Sequence, residues 1–392
     1  MYRTAILILF MMSLSIPAQN HKVFPVEEIS PEFKSSSHLK IVTFIPSISD
    51  QTEYASMIVQ AFKNYFVEKL AFAPEDRNKV NIDIIFCTEK LIDSIDNQNN
   101  TKIEEMDMLL FLDDLDDKTA LNNISNSLLN TQGMQVFYPI STELKSQLQL
   151  PFLENLNADS VLFLLDENNV IVLKDEHYRG QGEHLKPLEH KIKELLGLPY
   201  PEITPNQVSL KVGDKAPDIL LELPYTQKIT PKVSLIPGDK AQKISQYLGN
   251  VLVLTFYPAA YSGIFDISKM IKRIHVDQTT KMSCAMHIVS FDGLSSKVET
   301  TNTRTVYFAI SESTPEILQK WQESLKTYHV RYLNDPDYSI SQAFGAYNPK
   351  GYNNRITVII DKNGNIAYID KEYNLNKESE IQSIVEELQT TL

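Results

Sequence analysis

Apolar positions along this chain alternate between short runs of β-formers and spacings of three and four residues. Lys40-Ile41-Val42-Thr43-Phe44-Ile45, opening at Leu39 and ending at Pro46, predicts a strand. Asp50 followed by Glu53 resembles a capping box, and Tyr54, Ile58, Ala61, Phe62, Tyr65 and Phe66 fall on one helical face. Further strands are predicted at Asn81–Phe86, Met106–Leu112, Met134–Pro139 and Ser160–Leu165, and helical patterns follow the middle two. Asp166-Asn169 is a turn into Val170–Leu173, and a helix from about His184 to Leu196 is stopped by Gly197 and Pro199.

Pro199, Pro201 and Pro205 then mark a stiff linker over 199–210. Beyond it the pattern repeats. Val251–Phe256 predicts a strand, Asp266–Val276 a helix, Met286–Phe291 a strand, and Glu312–Thr327 a helix carrying Trp321. Arg331–Asp335 leads into a helix at Tyr338–Phe344. Arg355–Ile360 and Ile366–Ile369 flank the turn Lys362-Asn363-Gly364-Asn365, and Glu378–Leu388 is the last helix. Each half reads as strands alternating with helices, then a hairpin, then a terminal helix. The expected fold class is α/β, with tandem thioredoxin-like domains at 39–198 and 211–392, each a mixed central sheet flanked by helices. The turns at Asp166 and Asp361, and the prolines Pro46 and Pro258 after each first strand, point to duplication.

With 392 residues, 43% apolar and 22% charged, the chain is long enough for two or three domains with ordinary cores. Its net charge of -13 argues against a nucleic-acid partner, since phosphate binding depends on Lys and Arg. Arg3, the apolar stretch Ala5–Met12 and the region Ser13–Ala18 have the layout of a signal peptide over 1–18, so export to a periplasm or secretion is expected. No stretch reaches the length of a membrane span. Cys87 and Cys284 are the only cysteines, and no Cys-x-x-Cys exists, so both are expected as buried free thiols in an oxidising setting. His177, His184 and His190 are spaced seven and six apart, unlike ligands on one helical face, and Asp113-Asp117 lacks the spacing of a calcium loop. No Gly-x-Ser-x-Gly or phosphate-binding glycine loop occurs. No metal and no cofactor are expected.

Candidate chemistry lies in Phe256-Tyr257-Pro258-Ala259-Ala260-Tyr261-Ser262-Gly263-Ile264-Phe265. This run resembles the active-site loop of the peroxiredoxins, the alkyl hydroperoxide reductase/thiol-specific antioxidant (redoxin) family: a proline, three residues, threonine or serine, two residues, then the peroxide-reactive cysteine. The resemblance spans about Val212 to Leu388. It includes Val-Gly-Asp-Lys-Ala-Pro-Asp at 212–218, Asn334-Asp335-Pro336, Phe344-Gly345-Ala346 and Asn354-Arg355 ahead of Ile356–Ile360. It implies that Pro258 shields the reacting sulfur, Ser262 bonds the peroxide, and Arg355 stabilises a thiolate at a helix start. At the cysteine position stands Phe265, which has no nucleophile. The first half resembles thioredoxin-like proteins more faintly. Serines stand in Pro46-Ser47-Ile48-Ser49-Asp50 where cysteines would be expected, and Ser160 occupies the place of Arg355.

The leading expectation is therefore an exported redoxin-like protein whose site Pro258, Ser262, Phe265, Arg355 is degenerate, with no catalytic residue. It would bind an unknown protein or small ligand, or serve as a scaffold. The alternative is a thiol-dependent antioxidant of the same class using Cys87 or Cys284. Cys284 is expected just before a strand and outside the motif loop, and Cys87 beside the carboxylate of Glu89. Because a pocket around phenylalanine is expected to have repacked, Phe265→Cys should restore little peroxide turnover; a peroxide-consumption assay showing strong gain would mean that an intact site surrounds residue 265.

Overall fold

The computed structural model describes residues 23–29, 36–45, 58, 61–88, 134–137, 142–150, 160–178, 180, 182–200, 208–227, 241–261, 284–299, 305–373 and 375–390. The predicted leader, the helix start at Asp50, the strand Met106–Leu112, the helix Asp266–Val276 and most of the linker lie outside them.

In the first half, β1 (Leu39–Ile45), β2 (Ile82–Thr88), β3 (Met134–Phe137), β4 (Ser160–Leu165) and β5 (Ile171–Tyr178) form one sheet, with α1 (Thr142–Leu148) after β3 and α2 (Gly182–Leu195) after β5. In the second half a short pair, β6 (Leu220–Glu222) and β7 (Ala241–Lys243), precedes β8 (Val251–Phe256). There follow α3 (Cys284–Glu299), β9 (Thr305–Ser311), α4 (Pro315–Leu325), β10 (Arg331–Asn334) and α5 (Ser339–Ala343). The ribbon β11 (Tyr347–Asn348) with β12 (Tyr352–Asn353) leads to β13 (Ile356–Ile360), β14 (Ile366–Asp370) and α6 (Glu378–Thr390).

The two large sheets have the same plan. Their orders are β3-β2-β1-β4-β5 and β10-β9-β8-β13-β14. In each, the first three strands run parallel and the last two pair antiparallel. The mixed α/β class is as expected. The matching turns are built alike: Asp166 Oδ1 accepts from the N–H groups of Asn168 and Val170, and Asp361 Oδ1 from those of Asn363 and Asn365. Asn169 and Gly364 both take positive φ there, 62° and 78°, the conformation that Asn and Gly tolerate best.

One expectation is corrected. Met286–Phe291 is not a strand but lies inside the helix α3, and the second strand of the sheet is Thr305–Ser311. Both segments carry β-formers. Thr305-Val-Tyr-Phe-Ala-Ile-Ser is buried along its whole length between β8 and β10, as a central parallel strand must be. In α3 the buried Cys284, Ile288, Phe291 and Leu294 recur at helical spacing.

Strand alternation sorts the core into three clusters. Val42, Phe44, Ile85, Cys87, Val161 and Phe163 point to one face of the first sheet. Leu252, Leu254, Phe256, Val306 and Phe308 point to one face of the second. The other faces of both sheets, α2, α3 and α4 share one continuous cluster, in which Phe62 and Tyr65 meet Tyr257, Ala260 and Trp321. The halves thus pack through a common apolar core.

A buried charged cluster crosses the same boundary. Lys186 Nζ lies 2.6 Å from Glu189 Oε2 and also pairs with Glu312 of the second half, while Lys193 Nζ reaches Glu189 Oε1 at 2.6 Å. Burial opposes the charge on Lys186 and lowers its pKa. Burial also works to raise the Glu189 carboxyl, but Lys186 and Lys193 outweigh it and hold it below the usual range. A carboxylate depressed in the fold contributes stability that is present above its unfolded pKa and is lost as pH falls toward the folded value. Glu189→Gln, which leaves lysines unpaired, should therefore lose about 3 kcal/mol at neutral pH. The gap from wild type should narrow below about pH 4, as read from denaturant unfolding at the two pH values.

Candidate functional site

β8 ends at Phe256, and the loop that follows is buried through Tyr261. Its backbone is fixed by both halves: Ser313 Oγ accepts from the Ala260 N–H at 3.0 Å, and Tyr65 Oη donates to the Ala260 carbonyl at 3.1 Å. The start of α2 abuts Pro258. A Cβ on Gly182 would meet Pro258 Cβ at 2.6 Å and Ala259 N at 2.7 Å, so this approach requires glycine. Pro258 thus sits in a closed corner. Ser262 and Phe265 lie outside the described residues.

Arg355 directly precedes β13, whose Ile356 pairs with Phe256 at the end of β8. Register therefore brings Arg355 to the Pro258 loop. Its Nη2 donates to Glu183 Oε1 at 3.0 Å and lies 3.3 Å from Cys284 Sγ. Cys284 is the first residue of the sixteen-residue helix α3. The expectation that Cys284 precedes a strand is overturned; it lies outside the motif loop, as expected, but its sulfur meets Arg355. A helix start and a guanidinium converge on its sulfur. The cause is the helical spacing of the α3 apolar residues, which turns Cys284 into the shared core. Despite burial, which opposes its charge, contact with Cys284 and Glu183 raises the Arg355 pKa.

Among the described residues, the aromatic neighbours of this pair are uncharged. His287, one helical turn along α3, hydrogen-bonds through Nε2 with Thr255 Oγ1 at 2.8 Å and stacks on Tyr373 with ring centres 4.5 Å apart. Burial, and then the Arg355 charge, push its pKa well below the ordinary value. Tyr65 and Tyr257, which also feel the Cys284 sulfur, have hydroxyls pushed far up by burial. Glu183 comes from the first turn of α2, and its second oxygen, Oε2, is buried without a hydrogen-bond partner.

Cys87 is different in kind. It is free, buried in β2 on the opposite face of the first sheet, and burial pushes its thiol pKa up. Its shift comes from lost solvation, not from a carboxylate. The three histidines do not converge either. His184 Nδ1 is 2.6 Å from Asp175 Oδ2, and His190 stacks on Tyr200 at 6.0 Å with its pKa lowered to about 4, chiefly by burial. Among the described residues no group of three or more His, Cys, Asp or Glu is arranged to hold a metal ion, and no helix is long and apolar enough to cross a membrane.

Sequence reasoning undervalued Cys284 and missed Glu183. The spacing Cys284, Ile288, Phe291, Leu294 carries a helical signal, and the stronger β-run at Thr305–Ser311 left Met286–Phe291 free to be helix. Glu183 has no local signal. Its partner is distant in the chain, and only the packing of α2 on the Pro258 loop joins them.

Comparison with known proteins agrees with the motif. Residues 211–385 match the family model described as Redoxin. Among curated proteins none matches significantly. Solved structures similar to the chain include Mycobacterium tuberculosis AhpC, at 22% identity over 46% of this chain and 94% of that one, with a TM-score of 0.32. A peroxiredoxin-like protein from Aquifex aeolicus is 19% identical over 47% and 92%, with a TM-score of 0.33. A putative protein disulfide isomerase from Bacteroides thetaiotaomicron is 15% identical over 46% and 92%, also at 0.33. With the opening 212–218 segment, the Pro258 loop and Arg355 all in place inside the matched range, the second half of this chain is a domain of the redoxin family.

Proposed function

We propose that the redoxin domain is a thiol-based site that reduces hydroperoxides, with Cys284 as the nucleophile. The observation that carries this is the approach of Arg355 Nη2 to Cys284 Sγ at 3.3 Å. A guanidinium this close to the sulfur can hold a peroxide oxygen and the charge that develops as the sulfur attacks it. In the register read from the motif loop the position of the sulfur is held by Phe265. In three dimensions Cys284, from further along the chain, reaches the arginine.

The chemistry would run as follows. The Cys284 thiolate attacks one peroxide oxygen, an S–O bond forms as the O–O bond breaks, and the alkoxide or hydroxide released takes a proton to leave as alcohol or water. The cysteine becomes a sulfenic acid. Cys87 faces the other side of the first sheet and is no partner for a disulfide with it. An external thiol would therefore condense with the sulfenic acid, releasing water, and a second thiol would release Cys284 from the mixed disulfide.

A second reading, a non-catalytic binder or scaffold, is favoured by two observations: Cys284 is fully buried, and Glu183 already occupies Arg355. Export to an oxidising compartment accords with either and rests on the N-terminal leader pattern.

The two separate by experiment. Peroxide consumption with a small dithiol, and trapping of a sulfenic acid by a dione probe, should occur in wild type and Cys87→Ala and vanish in Cys284→Ser. Arg355→Met should slow turnover by about a hundredfold, the usual loss when one preorganised donor is removed. Background peroxide consumption by a folded wild-type protein would leave the binder.

A further inference from the structure

Among the described residues a graded route runs from solvent toward the Cys284 sulfur. The Glu183 side chain keeps 29% of its exposure, the Arg355 side chain it pairs with keeps 13%, and Cys284 is fully buried. Glu183 and Cys284 meet the same nitrogen, Arg355 Nη2, at 3.0 and 3.3 Å. Glu183 stands on the first turn of α2, so the covering group and the sulfur come from different halves of the chain. We propose that this first turn is a gate over the Arg355–Cys284 pair, closed in the structure and opened by local unwinding while the rest of α2 and the helix α3 stay in place. The inference rests on the reading of Cys284 as the reactive sulfur, and it accounts for how a hydroperoxide reaches a buried thiol.

Beyond its first turn, α2 is pinned to the second half. Lys186 pairs with Glu189 and with Glu312 across the boundary, and Lys193 pairs with Glu189. Breaking such buried pairs is costly. Leu185, Leu188 and Ile192 lie in the shared apolar core. One turn further, His190 packs on the β11–β12 ribbon so closely that a Cβ on Gly351 would meet its Nδ1 at 2.4 Å. The ribbon is itself fixed there, since Tyr338 Oη donates to the Gly351 carbonyl at 2.7 Å.

The first turn is held far more loosely. Pro187 lies inside α2 and has no N–H to give the Glu183 carbonyl, so the turn lacks that helical bond. Glu183 reaches Arg355 through one oxygen only. Its Oε2 and Arg355 Nη1 are both buried without hydrogen-bond partners, so the bidentate pairing open to a carboxylate and a guanidinium is not made. His184 bonds Asp175 of β5, within its own half, and so does not tie the turn to the redoxin domain. Gly182 fits against Pro258 with no side chain of its own, and lifting it uncovers little apolar surface. Local openings are drawn from segments held in this way. When the turn lifts, Glu183 leaves Arg355, so access to the sulfur and release of the guanidinium for a peroxide oxygen come in one movement.

The test follows alkylation of Cys284 by iodoacetamide, read by mass, in the folded full chain carrying Cys87→Ala, where Cys284 is the sole thiol. Urea is varied below the unfolding transition. When reclosing outpaces alkylation, the rate tracks the population of the open form, and its urea dependence reports the surface exposed on opening. A gate gives a slope well below that of global unfolding. Glu183→Ala removes the bond to Arg355 and should speed alkylation by about tenfold. Pro187→Ala restores the missing N–H and should slow it by about tenfold. A slope equal to that of global unfolding, or a Pro187→Ala protein alkylated as fast as its parent or faster, overturns the gate and leaves Cys284 to be judged by its turnover. Gated alkylation with no sulfenic acid formed on hydrogen peroxide overturns the reading of Cys284 as the reactive sulfur, and the gate's part in that chemistry with it.

Discussion

A guanidinium withdrawn from water must be paired, and Arg355 finds its partners in two groups from distant parts of the chain. One is the sulfur of Cys284 at the start of α3; the other is a carboxylate at the start of α2. Much of the local architecture follows from that requirement. β13 must pair with the end of β8 to bring Arg355 to the Pro258 loop, α3 must start where its first side chain meets the guanidinium, and α2 must come close enough for Gly182 to touch Pro258.

The same closeness explains why the halves share a core. Apolar faces of both sheets merge in one cluster, and Tyr65 reaches across to the backbone of the Pro258 loop. Burying that much surface also traps charges. The lysines and glutamates of the Lys186 cluster are retained at the boundary, where each has an opposite partner. Ion pairs of this kind contribute little net stability compared with apolar packing, but losing one member is costly. They therefore fix how α2 sits on the second half, and with it the position of Glu183.

Legibility in the sequence tracked the range of the interactions involved. Strands such as Leu39–Ile45 and Val251–Phe256 are short runs of β-formers closed by proline or turn residues, and the turns at Asp166 and Asp361 declare themselves through a side chain that bonds its own backbone. Met286–Phe291 misled because β-branched and aromatic residues suit either a strand or a buried helix. Its state depends on which segment takes the place beside β8, and Thr305–Ser311 takes it. That single exchange moved Cys284 from a strand margin to a helix start and changed the candidate chemistry.

Local patterns and contiguous motifs were enough to reveal the α/β class, the order of most described elements, the redoxin character of the second half and the candidacy of Pro258 and Arg355. Which cysteine meets the arginine, and that a glutamate from the other half joins them, emerged only with folding. Those contacts join residues far apart in the chain, and nothing in local propensity encodes a distance across a folded core.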